Sequence, residues 1–318
     1  MLTERAVTIC LYEILRDYSD ESHIMPMREI IAKMSALYDL KPDRRTLYSA
    51  IELLCFLGYD ISLYKDNKVG YYLITRPFEP SQVKLLTDAV CSFPFIPAKQ
   101  SEELINKLQN TQSKHYGKRL RNLRIVRGNI KTNNKEVFRN IELLDEAITL
   151  KQKVSFTYME YRADKKLYPR RNESYKVNPY GMVYLNEHYY LICNLDTYPN
   201  LSLYRIDLIK DIALLEEKAD KRENLTDQIE SAVYAFTGAP ENIVMHCDNV
   251  ILGDVIDKFG TDILISRLDE QSFAVSLRAT AYGIKFWALQ YLPYVEVIEP
   301  KWLRDEVVES IKNNKYTQ

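Results

Sequence analysis

The sequence predicts an α+β protein of several domains, and three observations carry that prediction. At 318 residues the chain exceeds the usual size of a single domain, so two or three hydrophobic cores are expected. Apolar residues recur at helical intervals through the first half of the chain and alternate with polar ones in the segments that follow, which separates a helical part from a β-rich one. Charge is also partitioned: Lys and Arg outnumber Asp and Glu by 12 to 5 over residues 79–140, whereas the acids lead by 16 to 10 over residues 219–318. The expected divisions are residues 1–78, 79–140, 141–218 and 219–318.

The first segment reads as three helices and a ribbon. "RAVTICLYEILRDY" places Val7, Leu11, Ile14 and Leu15 on one helical stripe, and "MPMREIIAKMSALYDL" repeats the pattern with Ile30, Ile31, Met34 and Leu37 after Pro26, a residue suited to helix starts. A third helix begins at the N-cap Asp43 and runs to Gly58, with Leu47, Ala50, Ile51, Leu54 and Leu57 inward. Its other face carries Arg44, Arg45, Thr46, Tyr48, Ser49 and Glu52. "DISLYKDNKVGYYLI" follows as two strands joined by a charged turn from Lys65 to Lys68. Three helices and a hairpin make a winged helix-turn-helix. On double-stranded DNA the start of the third helix would enter the major groove, with Arg44 and Arg45 on phosphates or guanine edges and Lys65 and Lys68 on the backbone. The same module also serves protein contacts, and 10 basic against 11 acidic residues over 1–78 lends that alternative some weight without displacing DNA reading, because phosphate contacts supply most DNA affinity.

Residues 79–140 read as a helical spacer, "PSQVKLLTDAV" and "AKQSEELINKLQNTQ" about the Pro-containing break "SFPFIP". "KHYGKRLRNLRIVRGNIK", Lys114 to Lys131, holds seven Lys or Arg and no acid, either a polyanion contact or a surface for the acidic C-terminal segment. The helix "VFRNIELLDEAITL" leads into "KVSFTYMEY", where Val154, Phe156 and Tyr158 alternate with polar residues, and then into "SYKVNPYGMVYL", "HYYLICN" and "LSLYRIDLI". In "LNEHYYLICN" the period of two puts His188 and Tyr190 on one face; Arg205 and Asp207, also two apart, share a face of their own strand. Beyond residue 219, "ENIVMHCDNVILGDVIDKFG" and "SFAVSLRATAYGIKFWALQYL" give strand-helix-strand-helix, a small α+β module in which Trp287 and Trp302 are core or interface residues.

These blocks resemble the WYL-domain transcriptional regulators. Tyr189-Tyr190-Leu191 in "EHYYLIC" stands for the Trp-Tyr-Leu tripeptide, and "AITLKQKVSFTY", "VNPYG" and "LYRIDLI" match further blocks in the right order. "GYYLITRPFEPSQVKLL" resembles the exit of the family's winged helix, and "FWALQYLPYVEVIEPKWLRDEVVESI" its C-terminal extension. The resemblance implies a Sm-like or SH3-like β-barrel that senses a nucleotide or single-stranded nucleic-acid effector and controls a DNA-binding module, usually in a bacterial homodimer. It implies effector contacts at Tyr158, His188, Tyr190, Arg205 and Asp207. A guanidinium grips phosphate bidentately and a phenol can stack on a base. Leu208 stands where the family usually has a second Arg, so anion binding would be weaker or draw on Arg170 or Arg171. For Arg205 and Asp207 the structural alternative is an ion pair that braces the barrel.

Other classes find little support. There is no Gly-rich phosphate loop, no paired His at helical spacing and no Ser in a Gly-flanked turn, so no enzyme is expected, although a hydrolase built on Asp207 and His188 is conceivable. The five cysteines are scattered among apolar neighbours, which suits reduced buried thiols and neither disulfides nor metal. No apolar run approaches a membrane span and no leader precedes the first helix, so the expected location is the cytoplasm, with no cofactor. The 24 tyrosines suit half-buried strands and base-contacting surfaces equally. The competing function is an RNA- or single-stranded-DNA-binding accessory or defence-system protein that does not act through an operator.

Overall fold

The computed structural model describes residues 2–119, 131–222, 233–234, 236 and 238–316. It divides into two compact units, Met1–Asn133 and Asn134–Gln318. Most of the basic stretch, residues 120–130, lies outside the described residues.

In the first unit, α1 (Leu2–Tyr18), α2 (Met27–Tyr38) and α3 (Arg44–Phe56) fall where the periodicity puts them. Their stripes meet in one core containing Val7, Leu11, Ile14, Leu15, Ile30, Met34, Leu47, Ala50, Ile51 and Leu54. Two expected members are absent: Leu37 is 48% and Leu57 60% exposed. Leu57 is the C-cap of α3, already off the helical stripe, and Gly58 reverses the chain at φ 93°, in the left-handed region that glycine enters without Cβ strain.

Asp43 caps α3 as expected, accepting the Thr46 backbone N–H at 2.7 Å. That bond holds the carboxyl below its ordinary pKa. A depressed pKa contributes stability above the unfolded value that is lost as pH falls through the folded one. Asn can cap without titrating. The stability difference between wild type and Asp43→Asn should therefore change between neutral pH and about pH 3, and thermal melts giving the same difference at both would refute it.

The ribbon differs from its prediction. Its strands, β1 (Ile61–Ser62) and β2 (Tyr72–Leu73), are two residues each, and a one-turn helix, α4 (Tyr64–Asn67), replaces the charged turn. Asn67 explains the change: its side chain donates to Ser62 Oγ, Leu63 O and Gly70 O and accepts from the N–H groups of Val69 and Gly70. A local side chain thereby satisfies backbone groups that a hairpin ladder would use. Helices α5 (Pro80–Ser92), α6 (Ala98–Gln109) and α7 (Lys114–Arg119) complete the unit.

The second unit opens with α8 (Val137–Leu150) and a curled antiparallel sheet of six strands. These are β3 (Gln152–Tyr161), β4 (Leu167–Pro169), β5 (Tyr175–Leu185), β6 (His188–Leu195), β7 (Tyr198–Arg205) and β8 (Ile209–Lys218). The order is β4-β3-β5-β6-β7, with β8 also paired to β3. The expected strand through "LYRIDLI" breaks after Arg205, where Ile206–Leu208 form a 3₁₀ turn. Asp207 therefore does not share a strand face with Arg205.

The C-terminal part is a four-stranded antiparallel sheet with order β10-β11-β9-β12. Its elements are β9 (Pro240–Asp248), α9 (Leu252–Phe259), β10 (Leu264–Arg267), β11 (Ser272–Thr280), α10 (Ala281–Gln290), β12 (Val295–Glu299) and α11 (Lys301–Lys312). Trp287 is a core residue of this part, while Trp302 is 43% exposed. All five cysteines are free, and Cys55 is exposed, contrary to the expectation of buried thiols. Among the described residues no helix is long and apolar enough to cross a membrane, and no group of three His, Cys, Asp or Glu could hold a metal.

Candidate functional site

The sheet face around Arg205 gathers most of the singled-out residues. A two-residue turn, Asn186 and Glu187 with φ 46° and 64°, joins β5 to β6, the geometry that sets hairpin register. That register places Val183 and Arg205 directly opposite Tyr190 on the flanking strands. His188, two residues before Tyr190, follows on the same face, with ring centroids 6.3 Å apart. An imidazole and a phenol thus share a side with a guanidinium opposite them.

The guanidinium is held by the 3₁₀ turn. Arg205 donates from Nε to Asp207 Oδ1 at 3.1 Å and from Nη2 to Asp207 Oδ2 at 2.7 Å. The Asp207 side chain is 3% and the Arg205 side chain 29% exposed. Burial opposes the charge on Arg205, but the hydrogen bonds and charge of Asp207 outweigh it and raise its pKa. A guanidinium has two donor edges. Asp207 occupies one; the edge carrying Nη1 has no partner among the described residues.

Tyr158 plays another part than the one expected. Its ring is 5% exposed and packs edge-on to Tyr204 at 4.8 Å and Tyr175 at 6.2 Å, so it offers no face for a base. Its hydroxyl instead accepts the Arg205 backbone N–H at 3.3 Å, and burial raises its pKa. Arg170 lies over that ring at 4.8 Å and donates to Glu160, and Arg171 lies over Tyr175 at 3.5 Å. Both are cation–π arrangements. Burial also raises the pKa of Tyr190. The Tyr190 hydroxyl and His188 Nε2 have no hydrogen-bond partner among the described residues, whereas His188 Nδ1 donates to Asn186 O at 2.8 Å. The face can therefore grip an anion through Arg205 while offering the Tyr190 hydroxyl as a donor, with His188 Nε2 as an acceptor in the tautomer whose Nδ1 donates to Asn186 O.

The other candidate surface is on the first unit. Arg44, Arg45, Tyr48 and Ser49 are exposed along one side of α3, Thr46 is half-buried beside Asp43, and Lys65 and Lys68 are exposed on the ribbon. Lys68 is committed locally, donating from Nζ to Lys65 O at 2.8 Å.

Two features have no counterpart in the sequence reading. One is Asn134, whose Nδ2 donates to the carbonyls of Asp207 and Ile209 at 3.0 and 2.9 Å; nothing in "KTNNKEV" marks a residue aimed more than seventy positions ahead. The other is a cleft of about 700 Å³ in the first unit, lined among others by Asp20, His23, Arg76, Gln112, His115 and Tyr116. There the His23 and His115 rings stack at 3.7 Å, and Asp20 accepts from His23 and from Ser113. Histidines ninety positions apart leave no local signal.

Comparison with known proteins places two domains on the chain. Residues 139–214 match the WYL domain and residues 252–313 the WCX domain. Among solved structures, similarity extends to the proteasome accessory factor B/C (PafBC) of Arthrobacter aurescens, at 13% identity and TM-score 0.28, covering 97% of this chain and 48% of that one. The chain thus spans about half the length of that relative. A CRISPR Cas-related protein is similar at 10% identity and TM-score 0.39, covering 97% of this chain and 90% of that one. No curated protein matches the chain. The segment that bears the Arg205 face thus matches the WYL domain, and the C-terminal segment matches the WCX domain.

Proposed function

We propose that the protein is a DNA-binding transcription regulator whose WYL domain senses a nucleotide or single-stranded nucleic-acid effector. The observation that carries this reading is the Arg205 face: a guanidinium fixed by Asp207 with one edge open, beside the Tyr190 hydroxyl and His188 Nε2, two polar atoms with no partner among the described residues. Preorganised bidentate donors suit phosphate, and Tyr190 supplies the aromatic surface on which a base stacks. Tyr158 and Asp207 position Arg205, His188 and Tyr190 contact the effector, and Arg170 adds positive charge at the rim. Residues 1–78 act as a winged helix-turn-helix, 79–140 as a helical linker, 141–218 as a small Sm-like or SH3-like barrel and 219–318 as an extension serving assembly. The protein works in the cytoplasm and is not an enzyme.

Two experiments test the DNA half. Arg45→Ala should cost about 1 to 3 kcal/mol of specific duplex binding if Arg45 reads a base edge. A genomic-fragment selection that recovers no preferred sequence for the wild type would remove operator reading and favour the accessory-protein alternative, which the charge balance of residues 1–78 supports. Two-fold half-sites require a homodimer. Light scattering should give twice the 37.3 kDa chain mass, and a monomer at every concentration, on and off DNA, would refute it.

A further inference from the structure

We infer that the cleft of the first unit is a binding site for a free aromatic amino acid. Its volume of about 700 Å³ lies in the range that holds small molecules, and the groups left open on its walls define what would fill it. One wall is residues 111–116. Arg76 Nη1 donates to Thr111 O at 3.5 Å, and Asp20 Oδ2 accepts the Ser113 hydroxyl. The His115 ring stacks on His23 at 3.7 Å with 5° between the planes, and the Tyr116 hydroxyl donates to Pro80 O at 3.2 Å. Four contacts thus pin this wall to residues 20–23 and 76–80 while leaving the space beside it open.

Arg76 is the anchor for a carboxylate. Its Nη1 also donates to Arg16 O at 2.9 Å and its Nη2 to Ser19 O at 2.6 Å, so neutral carbonyls hold the guanidinium and none of them cancels its charge. Burial lowers its pKa, and Nε has no partner among the described residues. The Asp20 carboxylate on the same cleft is already spent: Oδ1 accepts His23 Nδ1 at 2.8 Å and the Ser22 N–H at 3.0 Å, and Oδ2 the Ser113 hydroxyl. A ligand carboxylate can therefore join Arg76 at Nε. Gln112 is the anchor for an ammonium. It follows Thr111, is 4% exposed, and donates from Nε2 to Phe78 O at 2.6 Å. Its Oε1 has no partner among the described residues, and a buried acceptor left so costs stability until a donor reaches it. Glu21 and Glu79, both exposed, add negative charge to the same cleft. The paired imidazoles present a flat face, with Tyr72 and Phe78 also on the walls, and a third ring stacks on such a face. Carboxylate, ammonium and ring on one small molecule describe an aromatic amino acid.

Binding is read by NMR on the full chain labelled at histidine Cε1, because the sequence has four histidines, His23, His115, His188 and His246, and two of them line the cleft. L-phenylalanine, L-tyrosine and L-tryptophan are titrated in turn to about 10 mM, enough to reveal millimolar affinity. At least one should move the His23 and His115 Cε1–H resonances upfield, as a stacked ring does, and leave His188 and His246 in place. For that amino acid, the carboxamide, which lacks the carboxylate, and the N-acetyl derivative, which lacks the ammonium, should each bind about tenfold more weakly or worse. L-leucine, which has no ring, should leave all four resonances unmoved. His115→Ala should weaken binding about fivefold, and His115→Phe should restore it. No shift with any of the three overturns the site, and so does a shift confined to His188, which would put the amino acid on the Arg205 face. Derivatives or leucine that bind like the parent overturn the amino-acid assignment, and unchanged binding in His115→Ala overturns the stacking face. The comparison of derivatives needs only the wild type, and none of these measurements depends on duplex binding or on the sensor reading.

Discussion

Arg205→Ala is expected to lower the stability of the β3–β8 sheet and, on the proposed sensor reading, to abolish the response to effector in the same protein. The mutation leaves the Asp207 carboxylate, 3% exposed, without its bidentate partner. Removing one member of a buried pair costs more than the pair contributes, because the survivor keeps its desolvation penalty. With Arg205 itself partly solvated, the expected loss is about 2 to 3 kcal/mol, a fall in melting temperature of roughly 4 to 12 °C. Ligand-free duplex affinity should not change, since no residue of α3 is touched. Arg205→Ala/Asp207→Leu separates the two effects: it removes the orphaned charge and should recover much of the stability, but it cannot restore the response. A destabilised single mutant that responds normally would reduce the pair to a brace of the sheet. Calorimetry and ligand-dependent duplex binding on the same samples decide between them.

Gly70→Ala should be at least as damaging to the first unit, for a steric reason. A Cβ built on Gly70 would lie 2.5 Å from Met25 C and 2.7 Å from Pro26 N, and closer still to Met25 O. These are backbone atoms, and they cannot retreat freely. Met25 O accepts the Tyr71 N–H at 2.9 Å and Met25 N–H donates to Tyr71 O at 3.0 Å, so moving the Met25 carbonyl breaks the bridge that ties the ribbon to the start of α2. The expected loss exceeds about 3 kcal/mol, visible as a shifted urea midpoint and a loss of duplex binding. A variant within about 0.5 kcal/mol of the wild type would show that this approach relaxes without cost.

The contrast between these two sites marks what a sequence can carry. The helices were legible because one-sided burial imposes its own period: Leu11, Ile14 and Leu15 fall on a stripe whatever they pack against. Strands β3, β5, β6 and β7 were legible for the same reason, and so was the sharing of a face by His188 and Tyr190; the three-residue β4 was too short to show a period. The 3₁₀ turn was not. Tyr204, Ile206 and Leu208 are all buried, and alternation continues unbroken through a turn that leaves the strand, so the apolar pattern reads as sheet on both sides of the break. Asn134 donates to the carbonyls of Asp207 and Ile209 there, a contact made only after folding brings it across. Nothing local marks Gly70 either; the carbonyl that excludes its Cβ belongs to Met25, forty-five positions earlier.

Both tryptophans, Trp287 and Trp302, lie in the C-terminal sheet module, and this decides which spectroscopy can see the rest of the molecule. The core around Leu11 and the core around Phe156 contain no indole. An unfolding curve recorded by intrinsic tryptophan emission therefore follows the surroundings of Trp287, and a variant whose damage stays near α3 or Arg205 could look unscathed by that probe. Tyrosine emission is the natural complement, since Tyr158, Tyr175 and Tyr204 cluster within 6.2 Å of one another. An indole introduced at Phe156 would give that cluster a colour of its own.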